Sequence, residues 1–393
     1  MTSKSLGITR IGFWPVVAGF LVASLAVIAL LRYTKGLGAV TNLTDSFPWG
    51  LWIGFDILCG VGLAAGGFAI AATVHVFHLT DFKPILRPTI LTAFLGYALV
   101  IVALLFDLGK PWNVWHPIVM WNPHSVMFEV GWCVMLYTTV LFLEFLPVLL
   151  ERFRLAKPLQ ILAKVSPVLV ILGVILSTLH QSSLGSLFLI LPHKLHPLWY
   201  SPILPILFFV SAVAAGLAMT VVESWFSRRA FGRPIETHLL ARLSRTSVVV
   251  LALYLALRLR DLWARDALGS LFPLSLASWL FLVEIVFGVV VPMILLATPW
   301  VRRSPKRLTI AQGMVVLGFI LHRLDVSITA VEATSGYRYL PAFPEFLVTM
   351  ALAALGMLAF CAACKFFPVF PQASSQAEPE LKPVFARKVV IDM

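Results

Sequence analysis

VSPVLVILGVILSTLHQSSLGSL, residues 165–187, decides how this chain is read. No charged residue falls between Val165 and Leu179, and then His180, Gln181, Ser182, Ser183 and Ser186 arrive together around Gly185. An α-helix rises about 1.5 Å per residue, so about 20 apolar residues cross a hydrocarbon core roughly 30 Å thick. The stretch reads as a membrane span with a polar cluster near one end. Polar groups in lipid are costly, so the cluster needs a reason.

Composition extends that reading to the whole chain. Of 393 residues 60% are hydrophobic and only 12% charged, against about 25% charged in soluble domains. The net charge of +12 does not point to nucleic acid, because the basic residues sit in short loops between apolar runs. Hydropathy predicts about ten spans, at approximately 12–31, 49–77, 88–107, 125–149, 165–184, 202–226, 246–262, 275–298, 308–330 and 344–367. The expected fold is an all-α integral membrane bundle of about ten helices. Residues 1–371 form a single transmembrane domain, and residues 372–393 form a polar cytoplasmic tail beginning QASSQAEPE. Lys4 and Arg10 precede the run from Ile11 to Leu31. That run exceeds the roughly 7–15 residues of a signal core and no small-residue cleavage site follows it, so it reads as a retained first span.

Loop charge gives the orientation. With the N-terminus inside, 21 of the 30 Lys and Arg fall in inside segments and 9 in outside ones, which predicts N-in and C-in topology. On that assignment the notable polar residues gather at the outer side. Asp45, Trp49 and Asp56 lie at the outer end of span 2, Asp107 ends span 3, and His124 and Glu129 open span 4. The HQSS cluster ends span 5, His196 follows it, Arg258, Arg260 and Asp261 end span 7, and His322, Arg323 and Asp325 occupy span 9. Tyr337, Arg338, Tyr339 and Glu345 border it. The inner half holds His75, His78, Glu144 and Glu223, with Glu284 nearer mid-depth. A charge at the bilayer centre costs about 2.5–3.5 kcal/mol on insertion scales, so this asymmetry argues for one enclosed polar site near the outer face. The competing reading is ordinary interfacial helix ends, strongest for Asp107, Arg260 and Asp261.

Three motifs carry chemistry. His180, Gln181 and Ser182 offer donors and acceptors at one depth, suited to the two carbonyls of a quinone, and an imidazole can pass protons near neutral pH. HRLD (322–325) puts a titratable ring, a fixed cation and a carboxylate on one helix, with His322 and Asp325 on one face. FPWGLWIGFD (47–56) opens a helix at Pro48, anchors it with Trp49 and Trp52, and places Asp56 two turns in. The glycines of GVGLAAGG (60–67) serve close helix packing. His180 and His322 lie at comparable depth, which leaves one haem open, but matched histidine pairs at both faces are missing. Cys361 and Cys364 form a C-x-x-C with no second pair to complete a four-thiolate cluster, and all four cysteines read as buried small hydrophobes. Metal motifs and nucleophilic triads have no support.

GLGAV (36–40), FPWGLWIGFD (47–56), RPTILTAFLGY (87–97), SVMFE (125–129), STLHQSSLGSL (177–187), HPLWYSP (196–202) and YRYLPAFPEFLVT (337–349) occur in order. Together they resemble the NrfD/polysulfide-reductase membrane-subunit family, and most of all its ten-span HybB branch, the membrane subunit of respiratory nickel–iron hydrogenase-2. The similarity runs from about Gly36 to Pro371. The resemblance implies a subunit of the bacterial or archaeal cytoplasmic membrane that exchanges electrons between menaquinone or ubiquinone and an extracytoplasmic ferredoxin-like iron–sulfur protein. Nickel–iron hydrogenase large and small subunits are the implied complex, with no haem of its own. It also implies a quinone site near the outer face, carried onto His180, Gln181, Ser182, Asp56, Glu129, His322, Arg323 and Asp325. Span 9 departs from the family pattern at the start of HRLD, which weakens the carry-over to His322. Related subunits of the DsrP type serve sulfur metabolism instead, and a secondary transporter is the reading from another class. Glu144, Glu223, Glu284 and His75 are candidates for a proton path from the inner face. The competing reading pairs Glu144 and Glu223 with the basic inner loops.

Overall fold

The computed structural model describes residues 13–370, apart from 48, 192 and 233–236. Pro48, Lys4, Arg10 and the tail 372–393 therefore lie outside the described residues. Among the described residues ten helices are long and apolar enough to cross a membrane: α1 (Val16–Lys35), α2 (Trp52–His75), α3 (Thr80–Asp107), α4 (Val126–Arg152), α5 (Ala156–Leu189), α6 (Leu204–Phe231), α7 (Thr237–Ala264), α8 (Leu276–Ala297), α9 (Pro305–Ser335) and α10 (Phe343–Phe366). They are the ten spans expected, but several run well past the apolar core. α5 begins at Ala156 and α7 at Thr237, because helix continues through the polar ends that hydropathy trims away. Among the described residues no β-strand forms, only an isolated bridge between Thr44 and Phe47.

Connections are short and capped. Gly232 and Gly336 end α6 and α9 at φ 64° and 70°, a left-handed conformation that suits glycine, and their N–H groups return to Arg228 and Glu332. Ser275 caps α8 by accepting from the Ser278 N–H.

α2 is the centre. In its most apolar window 78% of residues are buried, against 11% for α1 and for α5, whose other sides face lipid. α2 packs on α3, α5, α6 and α9, while α6 to α9 pack among themselves. α1 pairs with α10, and α10 leans on α3. The glycines allow these crossings. A Cβ on Gly62 would meet the Phe319 ring at 2.1 Å, and one on Gly216 would meet the Gly66 backbone N at 2.4 Å. Gly288 and Gly318 bring α8 and α9 together so closely that a Cβ on Gly318 would lie 2.2 Å from Gly288 Cα.

Two local expectations need correcting. Trp52 is not a headgroup anchor: its ring is 1% exposed and its Nε1 donates to the Glu345 carbonyl at 3.2 Å. Exposed indoles lie instead in the α3–α4 connection, at Trp112, Trp115 and Trp121, and at Trp263, Trp279 and Trp300. Cys59 and Cys133 are buried as expected, but Cys361 is exposed on α10, a helix largely open to its surroundings.

Three helices carry a π-turn, at Trp52–Ile57, Val286–Val290 and Asp325–Thr329. Each lies in or beside a polar candidate (Asp56, Glu284 and Asp325), and such extra-residue turns concentrate at functional positions because they re-aim side chains. The first and third meet where a Cβ on Gly54 would lie 2.5 Å from the Ser327 hydroxyl.

Candidate functional site

The polar residues form three clusters around α2 rather than one pocket. The first lies between α3, α4 and α5. His180 is wholly buried, about 13 Å along the helix from the Leu189 end of α5 at 1.5 Å per residue. Its ring lies 5.7 Å from Tyr97, which meets Tyr137 edge-on at 4.7 Å. Neither His180 nitrogen has a hydrogen-bond partner among the described residues, while the Tyr97 hydroxyl lies against Ser177 and Gln181 and the Tyr137 hydroxyl against Ser177. Gln181 donates to the Val61 carbonyl of α2 at 3.1 Å, which leaves its Oε1 without a partner. Unpaired polar atoms in apolar surroundings are costly, so this donor set suits a polar guest. Ser182 is half-buried and bonds back to Thr178, outside the cluster.

The second cluster belongs to α6–α9. His322 Nδ1 and Glu284 Oε1 are 2.9 Å apart, and Trp199 Nε1 donates to Glu284 Oε2 at 2.8 Å. Arg258 is fully buried and donates to the Leu198 carbonyl at 2.9 Å. Arg323, also fully buried, donates to the Phe208 carbonyl and the Ser211 hydroxyl at 3.0 and 3.1 Å. Its guanidinium carbon lies 3.5 Å from the Phe208 ring centre and 4.5 Å from that of Phe319, a cation held between two aromatic faces. His322 sits just past the midpoint of α9, in the half that ends at Ser335. Asp325 is buried too; one of its oxygens accepts from the Thr329 hydroxyl at 2.8 Å and the other has no partner among the described residues. Glu284, expected on a proton path, is the partner of His322.

The third cluster closes the end of the bundle where α2 begins. The Thr349 hydroxyl of α10 donates to Asp56 at 2.8 Å. Glu345 accepts from the backbone N–H of Asn42 at 3.0 Å and of Ala342 at 2.9 Å, and from the Tyr339 hydroxyl. Arg32 of α1 donates to the carbonyls of Phe106, at 2.7 Å, and Leu108, beside Asp107 at the end of α3. In the nearby α5–α6 connection, partial burial holds the His196 imidazole below its ordinary pKa.

At the opposite, basic end, a cavity of about 250 Å³ is lined by His75, Arg87 and Glu144 among α2 to α5. Glu223 accepts from Thr92 at 2.9 Å. Glu129 is exposed and joins no cluster, because it faces outward from the first turn of α4.

The family described as "Polysulphide reductase, NrfD" matches residues 39–333. The chain belongs to the NrfD family. A protein of Nitratidesulfovibrio vulgaris is 39% identical over 359 residues, covering 88% of this chain and 92% of that protein. The probable Ni/Fe-hydrogenase 2 b-type cytochrome subunit of Escherichia coli is 33% identical over 358 residues, covering 90% and 91%. The menaquinone reductase integral membrane subunit of N. vulgaris is 29% identical over 367 residues, covering 86% and 87%. NrfD membership and ten apolar helices make this a multi-pass protein of the cytoplasmic membrane.

The E. coli relative is described as a b-type cytochrome subunit, which raises haem. The two most buried histidines do not fit a bis-histidine site: His180 faces Tyr97 on one flank of α2, and His322 is tied to Glu284 on the other. Sequence reasoning passed over Tyr97, Tyr137, Trp199 and Tyr254, all buried aromatics with a polar tip. Buried Tyr and Trp normally seek a hydrogen-bond partner, and that was the available signal.

Proposed function

We propose that this chain is the quinone-reactive membrane subunit of a respiratory complex, passing electrons between the quinone pool and an iron–sulfur partner at the Trp49 end, which loop charge makes extracytoplasmic. The observation that carries this reading is the buried His180, both of whose nitrogens lack a protein partner, beside the Tyr97 and Tyr137 hydroxyls and the free Oε1 of Gln181. A quinone taking up two electrons needs a proton for each carbonyl oxygen, and these side chains donate hydrogen bonds to such oxygens and relay protons. Asp56, near the same end, is a second candidate contact. The resemblance to a hydrogenase-2 subunit favours hydrogen oxidation coupled to quinone reduction, with nickel–iron hydrogenase subunits as partners. The likeness to a menaquinone reductase subunit favours menaquinone, and it supports the alternative of another peripheral donor. No haem enters the scheme.

Protons would be drawn from the basic end, through the cavity lined by His75 and Glu144 towards Tyr137 and His180. Glu223 stands beside that route. Glu284 serves with His322 and Arg323 in the α6–α9 cluster, as a fixed electrostatic centre.

One vesicle experiment tests both halves. His180→Ala is expected to lower quinone-coupled turnover at least about tenfold while the complex still purifies intact. Glu144→Gln is expected to keep most electron transfer and lose proton uptake from the basic side. Wild-type turnover in His180→Ala would overturn the site, and unchanged uptake in Glu144→Gln would remove the proton route.

A further inference from the structure

At the basic end, a second cavity of about 390 Å³ opens between α4 and α10, far from the clusters above. It is lined by Arg152, Arg154 and Lys365, together with Phe366, Phe367 and Glu151. Glu151 is already neutralised: both its oxygens take bonds from Arg87, at 2.6 and 2.9 Å. Arg152 holds the end of α10 by donating from Nε to the Phe366 carbonyl at 3.1 Å. Arg154 and Lys365 are exposed, and among the described residues neither has a carboxylate partner. Lys365 lies over the Phe366 ring, with Nζ 5.6 Å from its centre. Three cations thus surround one cavity whose single carboxylate is spent elsewhere. Loop charge alone asks only for positive residues somewhere on this side; it does not ask for three around a cavity.

The depth and surroundings choose the ligand. α4 ends at Arg152 and α10 at Phe366, so the cavity lies at the level where helix leaves hydrocarbon. Below it, Phe366, Cys361, Leu358 and Met357 of α10 are exposed, an apolar track for acyl chains. A free phosphate would use the cations and ignore the track. We propose that this cavity is a binding site for the headgroup of an anionic phospholipid, with Arg152, Arg154 and Lys365 holding its phosphate and its acyl chains lying along α10. Basic pockets between spans on the cytoplasmic side recognise such headgroups through attraction that each added cation strengthens.

The full-length protein, ejected from nanodiscs of mixed phosphatidylglycerol and phosphatidylcholine, is read by native mass spectrometry. It should retain phosphatidylglycerol in preference to phosphatidylcholine. Removing three charges with Arg152→Gln, Arg154→Gln and Lys365→Gln should reduce that retention about tenfold. The charge-matched set Arg245→Gln, Arg303→Gln and Lys306→Gln, exposed on α7, in the α8–α9 connection and at the start of α9, at the same end and none of them lining the cavity, should leave it unchanged. The charge-conserving set Arg152→Lys, Arg154→Lys and Lys365→Arg should keep it, and excess inorganic phosphate should not displace it from the wild type. Equal loss in the two Gln sets would reduce the effect to general surface charge and overturn the site. Displacement by phosphate, or no lipid preference in the wild type, would overturn it without any variant.

Discussion

Glu284 holds the α6–α9 cluster together. Two arginines and a histidine crowd the middle of the bundle, and this carboxylate is the anion that His322 and Trp199 grip. Removing one member of a buried ion pair typically costs about 3–5 kcal/mol, because the remaining charges stay desolvated. Glu284→Ala should therefore lower the unfolding temperature of the purified protein markedly. Glu284→Gln, which still accepts from Trp199, should lose less. Differential scanning fluorimetry on both variants checks the order, and equal stability of all three proteins would show that Arg258 and Arg323 need no counter-charge. The sandwich of Arg323 between Phe208 and Phe319 explains how so buried a cation is tolerated: the rings offer their negative faces and two oxygens accept hydrogen bonds from its Nη2.

Helices set how close these residues can come. α8 and α9 cross at Gly288 and Gly318, next to Glu284 and His322, and a side chain at either glycine would separate the pair. Gly318→Val should cost at least about 1–3 kcal/mol by overpacking and shift the protein towards aggregates on size-exclusion chromatography. Gly313→Ala on the same helix has nothing within 4 Å to meet, and should behave as wild type or better. The π-turns work at this scale as well. An extra residue in the turn rotates everything beyond it, so the stretch of α9 after Thr329 is turned relative to the stretch that carries His322.

For the whole molecule, the number and place of the spans were legible because lipid demands long apolar runs whatever their neighbours. Polar residues inside those runs were legible for the same reason, and His180, Arg323 and Asp325 are all buried. Their grouping was not. Which helix lies beside which depends on small-residue crossings such as Gly66 with Gly216, and a chain read in one dimension does not show that α2 stands between α5 and α9. Glu129 illustrates the limit: its depth follows from position in the chain, but the direction it faces depends on packing. Loop charge makes two further predictions. Cysteines placed at Arg154 and Ser304 should react with impermeant reagents only from the cytoplasmic side, and cysteines at Trp115 and Tyr337 only from the other; the reverse pattern would invert the bundle. The purified subunit should also show no Soret absorbance, since His180 and His322 face different neighbours, and a stoichiometric Soret band would mean other ligands.

The pairing of α1 with α10 bears on how the protein is made. α1 leaves the ribosome long before α10, yet α10 is the helix it packs along, and α3 offers it only end contacts through Arg32 and Tyr33. Throughout synthesis α1 has to wait beside the growing bundle. Until α10 arrives, Asp56 lacks the Thr349 hydroxyl and Trp52 lacks the Glu345 carbonyl. A chain cut short before Phe343 therefore displays an unsatisfied carboxylate and an unsatisfied indole within the membrane. Such a chain loses two polar contacts that only its last span can supply.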